Sequence, residues 1–93
     1  MGTMLEKVGS LELATRLRTI RVECFGEAGV PDLADRIGIP PQTWDNYEYG
    51  VTIPGSVLLG FLAITCTEPM WLMTGDGPRY RSLPLETSRS GWR

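Results

Sequence analysis

A chain of 93 residues, 42% of them hydrophobic, holds enough apolar material for one core and little beyond it, so a single domain is expected. It has no His and only two Cys, outside any C-x-x-C spacing, and no Gly-rich loop follows a strand pattern. The common zinc sets, the commonest general base and a phosphate cradle therefore lack residues, and no metal, cofactor, small-molecule substrate or enzymatic activity is expected. The formal charge of -2 and isoelectric point near 5.0 are the unfavourable sign for a partner made of phosphates.

The longest uncharged stretch, residues 49–67, is broken by Gly50, Pro54, Gly55 and Gly60 and is not expected to span a membrane. The amino terminus shows neither the cationic start nor the apolar run of a signal peptide. A cytoplasmic protein is expected, with Cys24 and Cys66 as buried, reduced thiols.

In chain order, the first helix is predicted to start at Ser10, an N-cap followed by Glu12, and to bury a stripe of Leu13, Leu17, Ile20 and Cys24. Gly26 and Gly29 break it. Pro31 suits the first turn of a second helix with Leu33, Ala34 and Ile37 on its apolar face, closed by Gly38. A short third helix over residues 40–48 pairs Trp44 with Tyr47 and stops at Gly50. A fourth, from Ser56 to Cys66, is apolar on nearly every side. A last turn over residues 69–73 is stopped by Gly75 and Gly77. No segment reads as a strand and no internal repeat is present. Residues 1–9 read as a leader, 10–77 as the domain and 78–93 as a flexible tail.

Three segments carry a likeness. They are Arg16-Leu17-Arg18-Thr19-Ile20-Arg21; Leu33-Ala34-Asp35-Arg36-Ile37-Gly38-Ile39 with Thr43 and Tyr47-Glu48-Tyr49-Gly50; and residues 54–77, ending Trp71-Leu72-Met73-Thr74-Gly75-Asp76-Gly77. In this order the chain resembles the lambda-repressor-like, or xenobiotic-response-element, family of bacterial and phage regulators. The resemblance implies an all-α, compact five-helix bundle with a helix-turn-helix, Ala34 at the tight helix crossing and Gly38 in the turn. It also implies a structural ion pair between Arg21 and Glu48, and core roles for Trp44, Tyr47 and Trp71. By the same resemblance, Pro41, Gln42 and Asn46 would read base edges of double-stranded DNA, with Pro40, Thr43, Tyr49 and Thr52 near phosphates. Gln and Asn can donate and accept at once, which suits adenine; Pro41 offers apolar contact only.

The chain departs from the family pattern at the phosphate-facing positions. Val30 stands where a Gln is common, and Val51 and Thr52 stand where Lys or Arg is common. No Lys or Arg occurs between Ile37 and Arg79, while Asp32, Asp35, Asp45, Glu48, Glu68 and Asp76 make the middle acidic. Two functions are therefore carried forward: a sequence-specific transcriptional regulator acting as a homodimer, and an interaction module that keeps the scaffold but works through protein contacts. On the fourth helix the family pattern puts Leu59, Leu62, Ala63 and Cys66 in the core. Leu58, Phe61 and Ile64 are then left as a second apolar stripe, expected to be exposed and to form the dimer interface.

Overall fold

Proline and glycine punctuation divides the chain into short helices, and a computed structural model describes them over residues 2–81. Among the described residues there are five helices and no strand, only one isolated bridge. They are α1 (Gly2–Phe25), α2 (Val30–Ile37), α3 (Pro41–Glu48), α4 (Gly55–Thr65) and α5 (Pro69–Thr74). No helix among these residues is long and apolar enough to cross a membrane.

The first helix does not begin at Ser10 but runs from Gly2. Met4, Leu5, Glu6 and Lys7 are good helix formers and no proline interrupts them, so the capping preference of Ser10 is overridden from both sides. The buried face of α1 is also turned relative to the expected stripe. Ala14, Leu17, Ile20 and Arg21 are buried, Leu13 is half-buried and Cys24 is exposed. Cys24 lies in the last turn of α1 and is exposed, so it is not a buried thiol; Cys66 is half-buried.

Gly29 lets α2 start hard against the end of α1. A Cβ there would lie 2.2 Å from the Phe25 carbonyl oxygen and 2.4 Å from the Phe25 Cβ, so no other residue fits. Pro31 occupies the first turn of α2, where its missing N–H costs nothing. At the other end Gly38 takes φ +95° and donates to the Ala34 carbonyl at 2.8 Å, with Ile39 donating to the same oxygen at 3.0 Å. This left-handed residue reverses the chain within residues 38–40, so α3 crosses α2 at once.

The core is built around Trp44. Its ring stacks on Phe61 at 5.1 Å between centroids and meets the edge of Tyr47 at 5.8 Å. Leu17, Ile20, Leu33, Ala34, Ile53 and Leu72 complete the buried set. This arrangement rotates α4 away from the expected faces: Phe61 is 0% exposed whereas Leu59 is 68% exposed. Leu58 and Ile64 are half-buried against the same core, as is Leu62 of the expected core face, and Ala63 is exposed. Phe61 is therefore core, with Leu58 and Ile64 half-buried beside it, and the three do not form an exposed dimer patch. The cause is the Trp44 ring, a large flat surface that only another ring covers well.

At the end of α4, Thr65 donates its hydroxyl to the Phe61 carbonyl at 2.7 Å, leaving Thr67 to donate to Thr65 at 2.6 Å. Both hydroxyls are buried and both are satisfied. Cys66 between them adopts φ 59°. Trp71, expected in the core, is half-buried and packs against it from α5.

The start of the expected tail is docked. Thr67 and Tyr80 form an antiparallel bridge, with Glu68 N–H donating to the Arg79 carbonyl at 2.7 Å and Arg81 N–H to the Cys66 carbonyl at 2.8 Å. Glu23 on α1 receives the Arg79 guanidinium and, at 2.6 Å, the Tyr80 hydroxyl. Arg79 also lies over the Trp71 ring at 5.4 Å. Burial first, then the bond to Glu23, pushes the Tyr80 phenol well above its ordinary value. The expectation of flexibility for residues 82–93 lies outside the described residues.

Candidate nucleic-acid interface

Helix α3 has two unlike faces. Trp44 and Tyr47 are buried, whereas Pro41, Gln42 and Asn46 are exposed along the opposite edge. Gln42 and Asn46 stand one turn apart, and the Gln42 Nε2 donates to the Asn46 Oδ1 at 3.2 Å. Pro40, Tyr49 and Thr52 are exposed around this edge, Thr43 and Asp45 are half-buried. The seven residues expected to contact DNA thus surround one surface: the α3 edge and the two loops that bound it.

What holds that surface in place is Glu48, the last residue of α3. Its carboxylate receives Arg21 twice, Nε to Oε2 and Nη2 to Oε1, each at 2.9 Å. The Trp44 indole N–H donates to Oε2 at 2.6 Å. The side chains of Arg21 and Glu48 are only 5% and 7% exposed, so the pair is desolvated and depends on these bonds. Four of the five Arg21 N–H donors are used, since its Nη1 reaches the Gly26 and Glu27 carbonyls at 2.8 and 2.7 Å. The bond to Glu48 is the main cause that raises the Arg21 pKa above its ordinary value, against the lowering effect of burial. One carboxylate therefore ties α3 to α1 and, through Arg21, to the loop after α1. The third partner, Trp44, was not anticipated from sequence, although its i, i+4 spacing to Glu48 is the signal that would have found it.

The electrostatics of the surface are poor for phosphate. Arg16 donates to the Leu72 carbonyl at 3.1 Å and lies 3.6 Å from Glu12. Arg18 lies 3.6 Å from Glu27, Arg36 sits over the Phe25 ring at 5.4 Å, and Arg79 is held by Glu23 and Trp71. Each of these cations already has a partner within the chain, and none is on α3. Beside the α3 edge the surface is apolar instead. Tyr49 and Val51 are exposed, and the exposed Leu11 of α1 approaches Gly50 between them, its Cδ2 3.6 Å from where a Cβ would stand.

Among the described residues no group of His, Cys, Asp and Glu side chains could hold a metal ion. A scan against protein-family models and searches of curated proteins and of solved structures find no match to this chain.

Proposed function

We propose that α2 and α3 form a helix-turn-helix of the lambda-repressor-like type and that the protein is a transcriptional regulator that presents α3 to the major groove of double-stranded DNA. The observation that carries this reading is the α3 edge: Gln42 and Asn46, two amides able to donate and accept, exposed on a helix whose other face is fixed by Trp44, Tyr47 and Glu48. A rigid helix presenting such side chains is what direct readout of base edges requires. Phosphate contacts would come from backbone N–H groups and from Thr52, Thr43 and Tyr49 rather than from cations, so affinity is expected to be low. A cytoplasmic homodimer on a symmetric site belongs to the same proposal, but its contact must be drawn from the exposed Leu59, Met70 and Met73 and not from Phe61.

One observation favours the second reading, a protein-interaction module. The apolar group of Leu11, Tyr49 and Val51 occupies the rim where a DNA-binding protein gathers cations. An electrophoretic shift titration against random duplex at low salt separates the two. Binding with a Kd of roughly 10⁻⁴ M or tighter that weakens steeply as salt rises supports DNA binding; no shift at any concentration supports the interaction module.

A further inference from the structure

Gln42 and Asn46 do not offer two independent amides. A primary amide has an oxygen that accepts and a nitrogen that donates twice, and one of those groups on each side chain is already used: the Gln42 Nε2 donates to the Asn46 Oδ1 at 3.2 Å. Bidentate recognition of adenine needs an amide oxygen and the N–H on the same edge, to accept from N6 and donate to N7. Gln42 keeps its oxygen and one of its two Nε2 hydrogens, the set that adenine needs. Asn46 keeps both Nδ2 hydrogens, while its oxygen is turned back toward Gln42 with one of its two lone pairs taken, so the bond orients the amide rather than exhausting it. Seen from the groove, Gln42 is an acceptor beside a donor and Asn46 is a donor.

Resting on the DNA-binding reading above, we infer that the Gln42–Asn46 hydrogen bond makes the two residues one reading unit. Gln42 takes adenine, and Asn46 takes an acceptor-bearing edge at an adjacent position, guanine O6 and N7 or thymine O4. Cytosine is rejected there, because its N4 donor would face the Nδ2 donors. The identity of the second base is thus set by the first side chain, through the bond that orients Asn46. Both residues are exposed, so their replacement leaves the core untouched.

Binding-site selection from a random duplex library at low salt, run on the wild type, Gln42→Ala and Asn46→Asp, tests this, with thermal unfolding as the check that each variant folds. The wild type should enrich adenine by about 5- to 150-fold over other bases at one position and deplete cytosine beside it. In Asn46→Asp the bond from Gln42 persists but the outward group becomes an acceptor, so adenine should stay and the neighbour should switch to cytosine. In Gln42→Ala the Asn46 oxygen is released and Asn46 can itself pair with adenine, so adenine should disappear from the first position and appear at the second. If Gln42→Ala leaves the second position unchanged, the residues read independently and the inference is overturned. An adenine preference lost in Asn46→Asp but kept in Gln42→Ala would mean that the bond runs in the opposite sense. Library binding without any enriched motif overturns the reading unit alone; absence of binding removes DNA recognition as well.

Discussion

Removing the Glu48 carboxylate should cost more than removing the guanidinium it binds. In Glu48→Ala, Arg21 loses two charge-assisted bonds and remains a cation in a site where its side chain is 5% exposed, with only the Gly26 and Glu27 carbonyls left to it. The Trp44 indole N–H, fully buried with its ring, loses its acceptor too. Breaking a buried pair from one side costs about 3 to 5 kcal/mol, and stranding a neutral donor adds about 1 to 3 kcal/mol. In Arg21→Ala the carboxylate keeps the indole and no neutral donor is stranded, so the loss should fall near the lower end, about 3 kcal/mol. The double variant should cost less than the sum by roughly 2 kcal/mol, since the second removal strands nothing charged. Urea midpoints at pH 7 for the wild type, both single variants and the double variant complete the cycle, and Glu48→Gln, which keeps an acceptor for Trp44, should fall between. Additivity of the two single losses to within about 0.5 kcal/mol would refute the account, because it would mean that the charges do not depend on each other.

Two further outcomes follow from the packing. Phe61→Ala should destabilise the fold by about 3 to 5 kcal/mol, the usual cost of emptying a buried ring site, and Phe61→Lys should unfold the chain rather than yield a folded protein of altered assembly; circular dichroism with size exclusion reads both. Two glycines should respond in opposite directions to alanine. Gly29→Ala should lower the melting temperature because its Cβ would overlap Phe25. Gly60→Ala meets nothing within 4 Å and sits inside α4, so it should raise stability by up to about 1 kcal/mol.

The element boundaries that the sequence made legible are those set by covalent geometry. Pro31, Gly38, Pro54 and Pro69 act on their own neighbours, so α2 to α5 fall where local signals put them. The start of α1 was misread because Ser10 is a cap only if the chain before it is not already helical. The face of α4 was illegible for a different reason: a segment apolar on nearly every side carries no periodicity to orient it, and its rotation is decided by the Trp44 ring from another helix. Docking of residues 78–81 was equally hidden, since Glu23 and Tyr80 are 57 residues apart and nothing local announces their contact. In the candidate interface, the outward residues of α3 came from the family resemblance, and Pro41, Gln42 and Asn46 are exposed as it implies. The partners of the arginines did not, because an arginine on an exposed helix reads the same whether it is free or already bound.

The three bonds converging on Glu48 also act as a torsional lock. Arg21 pulls from α1, while Trp44, one turn earlier on α3 itself, steadies the carboxylate, so α3 cannot roll about its own axis without breaking both Arg21 bonds together. Whatever Gln42 and Asn46 meet, the angle at which they meet it is inherited from α1. Outward side chains can be exchanged without altering that angle; a change of angle requires α1 and α3 to move as one body.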